Sequence, residues 1–173
     1  MAIREVITVP DPILRRKARK VTDYGKNLQK LIDDMIETMR EAPGVGLAAP
    51  QVNVSWRVIV IEYGEEDEEG VQVQPPKLYS VVNPEITRSS AEFDWATEGC
   101  LSIPDFIGDV ERPEAVTIKG FNRHGQPMRV KADGWMARIF QHEIDHLDGI
   151  LFTDRAEHVR PLEEEPAQVI PAD

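Results

Sequence analysis

The segment from Asn27 to Glu41 has the pattern of a helix with one apolar face. Pro43 and Gly44 follow it immediately, and both residues favour the end of a helix. The apolar residues recur three and four positions apart, which places them on the same face: Leu28, Leu31, Ile32, Met35, Ile36 and Met39. The sequence therefore predicts an amphipathic helix that packs this face into the core.

Several later segments have the composition of β-strands, because they are rich in β-branched and aromatic residues. Asn83-Pro84 is a turn signal, and residues 122–125 are typical of the loop of a hairpin. The predicted strands are residues 56–63, 78–86, 90–97, 115–121 and 128–131.

Two segments have no periodic apolar pattern. Residues 64–77 contain a run of acidic residues and end near paired prolines, so we expect an exposed loop. Residues 157–173 are acidic and contain prolines, so we expect a disordered tail. The remaining residues, 1–156, are predicted to form one domain.

A second helix is predicted between Asp133, a good N-cap residue, and Gly149, which suits the position after a helix C-terminus. It contains His142, Glu143 and His146 in the pattern H-E-x-x-H. Residues four apart share a helix face, so both imidazoles can bind one metal ion. The alternative is a chance match in which both histidines are core residues with hydrogen-bond partners.

The same helix has two further faces. One is an apolar stripe, which we expect to pack in the core: Met136, Phe140, Ile144 and Leu147. The other is polar, and we expect it to face solvent: Arg138, Gln141, Asp145 and Asp148.

A catalytic metal site of this type needs a third protein ligand and an open position for water. Cys100, the only cysteine, is one candidate, and an Asp or Glu later in the chain is another. A single cysteine excludes an intrachain disulfide and suits a reducing cytosol.

The net charge of −11 argues against a nucleic-acid partner, because binding to phosphates depends on clustered cations. The basic residues within 15–20 are expected to form a solvated edge. The first residues do not have the pattern of a signal peptide, and no apolar run approaches the roughly 18 residues that a membrane helix needs. We therefore expect a cytoplasmic protein that does not bind membranes.

Three strings decide between the possible chemistries: GVGLAAPQ at residues 44–51, EGCLS at 98–102 and QHEIDHLDG at 141–149. In this order and at these separations they resemble the three motifs of peptide deformylases, and the resemblance extends over residues 1–155. It implies an α+β fold, a single compact domain with antiparallel or mixed β-sheets around the helix that carries H-E-x-x-H.

The resemblance implies a metal centre in which Cys100, His142 and His146 hold one divalent ion. This ion is expected to be Fe²⁺ in the cell, whereas Zn²⁺, Ni²⁺ or Co²⁺ can occupy the site in purified protein. The implied substrates are N-formylmethionyl nascent peptides, and the products are formate and a free amine. Glu143 is the implied proton carrier. The side-chain amide of Gln51 and the backbone N–H of Leu101 are the implied donors to the oxyanion.

The resemblance also indicates where the peptide binds. Gly44 and Gly46 permit a close approach of the peptide main chain, which runs extended beside Gly46. The methionine pocket is expected to be formed by Val45, Trp135, Ile139 and His142. For Val45, Trp135 and Ile139 the alternative is simple core packing.

Residues around the cysteine motif are expected to support the site. Glu98, next to Gly99, is predicted to form an ion pair with Arg112 that braces the Cys100 loop. Asp145 either braces an imidazole or is solvated.

Other functions compete with this interpretation. A zinc peptidase of the H-E-x-x-H class would typically use a third His or Glu ligand, whereas the EGCLS string supplies a cysteine. A structural metal site or a binding module would need a fourth protein ligand. An inactive homologue would lack one of the motif residues. The C-terminus has no basic helix, so transient ribosome association, if present, is not expected to use the tail.

Overall fold

The computed structural model describes residues 2–164, and its elements are of the α+β class that was expected. Within this range, no helix is long and apolar enough to cross a membrane. Short 3₁₀ helices occupy Pro12–Arg15, Ala49–Val52 and Leu162–Glu164. The longer elements, in chain order, are α1 (Lys26–Glu41), β1 (Gly46–Ala48), β2 (Val58–Tyr63), β3 (Lys77–Ser89), β4 (Phe93–Cys100), β5 (Ile103–Pro113), β6 (Ala115–Phe121), β7 (Pro127–Asp133), α2 (Gly134–Leu147), α3 (Phe152–Arg155) and β8 (Glu157–Pro161).

The strands form two antiparallel sheets. The larger sheet has the order β1-β2-β3-β6-β7, and the smaller has the order β4-β5-β8. Strand β2 is buried on both faces, because Ile59 and Ile61 pack in the core cluster of α2 whereas Val58 and Val60 pack in that of α1. A strand covered on both faces has a continuous apolar run, which explains the sequence VIVI. The two helices thus lie on opposite faces of the larger sheet.

The prediction for α1 is confirmed, and the helix begins one residue earlier than expected. The hairpin of β6 and β7 is also confirmed, with β6 at the predicted residues. All six residues of the predicted apolar face of α1 are buried: Leu28, Leu31, Ile32, Met35, Ile36 and Met39. Local patterns were sufficient here, because the apolar residues of α1 recur regularly and a turn signal marks the loop of the hairpin.

Asn83-Pro84 is not a turn, contrary to the prediction. It lies inside the long strand β3, at an irregularity in the pairing with β6, and Asn83 has φ of 52°. The Asn83 side chain accepts a hydrogen bond from the Val21 N–H at 2.8 Å and donates one to the Val21 carbonyl at 3.0 Å. The local distortion is therefore used to bind the N-terminal segment to the sheet.

The predicted strand at 90–97 is displaced towards the C-terminus, since β4 begins at Phe93 and continues to Cys100. The Ser90 hydroxyl donates to the Glu92 carbonyl at 2.9 Å, so the first predicted residues form a turn. Strand β5 was not predicted. Pro104 and Gly108 interrupt its sequence, and pairing with β4 on one side and β8 on the other supplies the order.

The predicted boundary at residue 156 is wrong, because Glu157–Pro161 forms β8 and pairs with β5. Composition predicted disorder from residue 157, but backbone pairing with β5 stabilises Glu157–Pro161, a segment that has no apolar pattern. The rest of the predicted tail, residues 165–173, lies outside the described residues. Residues 65–76 are exposed, as expected for the acidic loop, and contain an isolated bridge between Glu66 and Gln72.

The C-terminal end of α2 is held by the N-terminal part of the chain. The Leu147 carbonyl accepts hydrogen bonds from the Ala18 N–H at 2.8 Å and from Arg57 Nη1 at 2.9 Å. Gly149 follows the helix with φ of 74°, and a Cβ atom there would lie 2.5 Å from the Arg15 carbonyl oxygen. A glycine is therefore required both by the backbone conformation and by the close approach of residues 15 and 16.

We expect Gly149→Ala to lower the free energy of unfolding more than Gly134→Ala does. Both glycines have positive φ, which costs a residue with a side chain about 1–3 kcal/mol. Only position 149 adds a steric clash, since a Cβ at Gly134 would meet nothing within 4 Å outside its own helix. Urea unfolding of the two variants measures the difference, and equal losses would contradict the proposed clash.

Candidate metal centre

Helix α2 has less solvent contact than the sequence suggested. Asp133 occupies the N-cap position as predicted, although its side chain makes no capping hydrogen bond. Arg138 and Gln141, which were expected to face solvent, are only 5% and 6% exposed. The hairpin of β4 and β5 covers this face of the helix and supplies carbonyl partners. Gln141 Nε2, for example, donates to the Pro113 carbonyl at 3.0 Å.

Cys100, His142 and His146 come together at the contact between the end of β4 and α2. One ligand atom from each residue lies within 4.8 Å of the others, and all three side chains are buried. Cys100 Sγ is 3.4 Å from His146 Nε2. A thiol and two imidazoles form a donor set that suits zinc, iron or nickel. The three residues of the sequence prediction therefore fit a metal ion.

The ring orientations of the histidines also fit this role. His142 Nδ1 is 3.0 Å from Glu98 Oε1, so its Nε2 is the nitrogen left for the cluster. Burial lowers the pKa of His146 well below its ordinary value, and the nearby His142 and Arg112 lower it further. His146 is therefore neutral at physiological pH, which is the form that binds metals.

The Cys100 loop is held from several directions. The β4–β5 pairing shifts register after Gly99, so that Cys100 pairs with Ile103 across a tight turn. The Val9 N–H donates to the Ser102 carbonyl at 3.0 Å. These contacts fix the sulfur position through the backbone on both sides.

Gln51 is fully buried beside the sulfur. Its Nε2 lies 3.7 Å from Cys100 Sγ and 3.2 Å from Ser102 Oγ, and its Oε1 accepts from the Ala48 N–H at 2.9 Å. The predicted amide donor is thus adjacent to the cluster. Leu101 follows Cys100 in the turn and is half-buried.

The predicted ion pair of Glu98 and Arg112 is present and is part of a larger network. Arg112 donates to both carboxylate oxygens of Glu98, at 2.7 and 2.9 Å. Arg138 adds a third hydrogen bond, at 2.6 Å. Burial alone would raise the pKa of the Glu98 carboxyl, but the hydrogen bonds from Arg112 and His142 outweigh it and hold the pKa far below its ordinary value.

Asp145 belongs to the same network of ion pairs. It pairs with Arg112 at 2.9 Å and with Arg155 at 2.7 Å. The imidazole of His142 is instead braced by Glu98. The sequence could not indicate this choice, because Glu98 lies 44 positions before His142.

Gly46 and Glu143 are in close contact. A Cβ atom on Gly46 would lie 2.6 Å from Glu143 Oε2, so any other residue would displace the carboxylate. Glu143 itself has no exposed surface. Gly46, the second glycine of GVGLAAPQ, is therefore needed because Glu143 packs directly against its backbone.

The residues predicted to line the methionine pocket occupy different places. Ile139 has no exposed surface and belongs to the core cluster against which half-buried Val45 packs. Trp135 is half-buried, with its ring 5.7 Å from the Arg138 guanidinium, in a groove that also contains Trp95. The alternative of core packing therefore fits Ile139 in this structure.

Gly44 ends the loop after α1, where its N–H donates to the Met39 carbonyl at 2.7 Å.

Sequence reasoning missed the role of Arg138. The residue lies one helical turn before His142, and its position in a polar sector suggested solvent. A cation four residues before the first histidine of H-E-x-x-H was the available signal, but only the tertiary contact with β4 and β5 shows its partners.

We expect Glu98→Gln to lower the free energy of unfolding by about 3–5 kcal/mol near neutral pH, since it leaves buried cations uncompensated. Because the folded-state pKa of Glu98 is depressed, its stabilisation is present above the unfolded pKa of about 4.3 and is lost as pH falls below it. Stability of the variant should therefore fall less steeply with acidification. Chemical unfolding at several pH values tests this, with Glu111→Gln, an exposed carboxylate on β5, as the control. Parallel acid dependences for the parent and Glu98→Gln would contradict the assignment.

Comparison with known proteins agrees with this geometry. The family model described as polypeptide deformylase matches residues 3–161. A peptide deformylase from Symbiobacterium thermophilum is 49% identical, with 98% of this chain and 76% of the relative covered. The crystal structure of peptide deformylase from Thermotoga maritima has a TM-score of 0.82 at 39% identity, covering 91% of this chain and 99% of that one. A peptide deformylase from Acinetobacter baumannii with bound Met-Ala-Ser has a TM-score of 0.81 at 39% identity, covering 89% and 98%. The chain belongs to the polypeptide deformylase family.

Proposed function

We propose that this chain removes the N-formyl group from the N-terminal methionine of nascent polypeptides, at a metal centre formed by Cys100, His142 and His146. Membership of the family supports the reaction, which is the hydrolysis of a formyl amide to formate and an amine. The observation that carries the assignment of the site is the buried cluster of one thiol and two imidazoles, with ligand atoms within 4.8 Å of one another.

The ion that this cluster would hold is Fe²⁺ in the cell, and Zn²⁺, Ni²⁺ or Co²⁺ fit the same donors in purified protein. When bound, a divalent ion supplies Lewis-acid activation of water and of the formyl carbonyl. Three protein ligands leave a coordination position open, as catalytic sites require. No second cysteine exists to close the site.

Glu143 is the proton carrier in this proposal. Its carboxylate lies on the same helix as both histidines and is excluded from solvent. It accepts a proton from the attacking water and delivers it to the nitrogen of the leaving amine. Contact with the backbone of Gly46 keeps this carboxylate beside the first residue of β1, where the substrate is expected to bind.

Gln51 and Leu101 are proposed to stabilise the negative charge that develops on the formyl oxygen. The Gln51 amide already lies beside Cys100 Sγ, and its Oε1 is fixed by the Ala48 N–H. Leu101 offers a backbone N–H directly after the cysteine. Donors that are held in place before the reaction stabilise the transition state without reorganisation.

The peptide is proposed to add as a strand beside β1, which lies at the edge of the larger sheet. The relative from Acinetobacter baumannii binds Met-Ala-Ser, a deformylated product in chemical terms. Val45, immediately before β1, is proposed to contact the methionine side chain. Trp135 and Ile139 also remain proposed contacts of the methionine side chain, although they lie in different places. Trp135 lines the groove that contains Trp95, and Ile139 lies in the core, where it can contact a ligand only if a neighbouring side chain moves.

We place the reaction in the cytoplasm, where nascent chains are made. The chain has a net charge of −11, so we propose no direct binding to nucleic acid. Residues 163–173 contain acidic residues and no Lys or Arg, so we do not propose that this segment binds the ribosome.

A zinc peptidase is the second candidate, because H-E-x-x-H occurs in that class. It is disfavoured by the third ligand, since the structure brings Cys100 to the two histidines. Peptidase activity would require hydrolysis of internal bonds in peptides without a formyl group.

We expect anaerobic protein loaded with Fe²⁺ or Ni²⁺ to release formate from formyl-Met-Ala-Ser. In Glu143→Gln, which preserves the volume of the side chain, we expect a rate lower by about 10²–10⁴-fold, because proton transfer is lost. Metal content, measured in both proteins, should stay equal. No formate release from metal-loaded parent protein would sink the proposal, and cleavage of unformylated peptides would favour the peptidase.

A further inference from the structure

Arg138 makes more buried polar contacts than the proposed reaction uses. Its Nη1 donates to Glu98 Oε2 at 2.6 Å and to the Val110 carbonyl at 2.9 Å, and its Nη2 donates to the Asp94 carbonyl at 2.8 Å. The side chain is 5% exposed, and the ring of Trp135 lies 5.7 Å from the guanidinium carbon. A cation with three acceptors and an aromatic neighbour has one well-defined orientation.

The two oxygens of Glu98 have different partners. Oε2 accepts from Arg112 Nε at 2.7 Å and from Arg138 Nη1 at 2.6 Å. Oε1 accepts from Arg112 Nη2 at 2.9 Å and lies 3.0 Å from His142 Nδ1. Since Arg138 and Arg112 together occupy Oε2, the plane of the carboxylate is fixed with Oε1 directed at the imidazole.

We propose that Arg138 is a positioning residue for the metal centre, which orients the Glu98 carboxylate so that Oε1 holds His142 in the ring orientation that presents Nε2 to the metal. This inference rests on the metal site proposed for Cys100, His142 and His146. Carboxylates that accept a hydrogen bond from a liganding imidazole fix its tautomer and increase its basicity, and their loss typically costs about 10–100-fold in metal affinity. Arg138 acts one contact further from the metal.

Arg112 alone does not provide the same constraint. It also pairs with Asp145, whose other partner, Arg155, has a side chain that is 45% exposed. That branch leads to the surface, where side chains are free to reorganise. The carbonyls bound by Arg138 belong to β4 and β5, which pair with each other at Ala96 and Val110. Arg138 therefore fixes the Glu98 carboxylate relative to the backbone of the β4–β5 hairpin, which also carries Cys100.

A purely structural role for Arg138 would consist of attaching α2 to this hairpin. Gln141 provides the matched control, because it lies one turn later on the same helix, is 6% exposed and donates to the Pro113 carbonyl of β5. The other hydrogen bond of Gln141 Nε2 goes to the Ala137 carbonyl, at 3.1 Å, and not to Glu98. Arg155 provides a control for charge, as a cation at the edge of the same network that pairs with Asp145.

The test compares Arg138→Met, Arg138→Lys, Gln141→Met and Arg155→Met in the full-length chain. Co²⁺ affinity is measured by competition with a chelator under anaerobic conditions, the thiolate-to-cobalt absorption band reports the ligand geometry, and urea unfolding of the metal-free proteins reports stability. We expect Arg138→Met to raise the Co²⁺ dissociation constant about 10-fold or more and to shift the absorption band. Arg138→Lys, which keeps the charge but lacks the planar fork, should show a smaller rise.

Gln141→Met and Arg155→Met should retain the parental dissociation constant and absorption band, even where Gln141→Met loses stability. If Arg138→Met loses stability but binds Co²⁺ as the parent does, the positioning role is overturned. If Arg138→Met does not fold, Arg138→Lys decides: a raised dissociation constant supports the proposal and a parental value overturns it. Failure of the parent itself to bind Co²⁺ would overturn the metal site, which distinguishes that result from a failure of the Arg138 proposal alone.

Discussion

The burial of one carboxylate, that of Glu98, is the constraint on which the rest of the site depends. An ion removed from water costs several kcal/mol unless opposite charges and hydrogen bonds surround it. Glu98 has no exposed surface, and it meets this requirement with Arg112, Arg138 and His142. Those three residues come from β5 and α2, so the charge can be buried only when the smaller sheet and the helix are already packed together.

This requirement connects the fold to the chemistry. Strand β4 carries Glu98 and Cys100, and α2 carries His142 and His146, so one packing contact determines both the brace and the ligand cluster. Low polarity around the site strengthens each hydrogen bond that is made and penalises each that is not. The arrangement is therefore specific, because a shift of α2 along the hairpin would break the ion-pair network and separate Cys100 from the two histidines at the same time.

Another face of α2, which carries Glu143, is also closely packed. Glu143 lies against the backbone of Gly46, so β1 determines how closely the carboxylate can approach the sheet edge. The N-terminal segment contacts both motif-bearing parts of the site. The Val9 N–H donates to the Ser102 carbonyl, next to the Cys100 turn, and the Ala18 N–H donates to the Leu147 carbonyl at the end of α2. The residues that act in the proposed reaction are thus fixed by segments far away in sequence, which keeps them in place before a substrate arrives.

The sequence by itself determined the elements that have a clear local pattern and the two neighbouring histidines of a short motif. Helix α1 follows from periodicity, the β6–β7 hairpin follows from strand composition and its turn residues, and the pairing of His142 with His146 follows from a spacing of four on one helix. Tertiary structure decided what local pattern cannot contain: the strands β5 and β8, the continuation of β3 through Asn83-Pro84, and the burial of Arg138. Each of these depends on contacts with other elements of the fold, because backbone pairing and charge compensation stabilise residues whose own composition predicts a turn, solvent exposure or disorder.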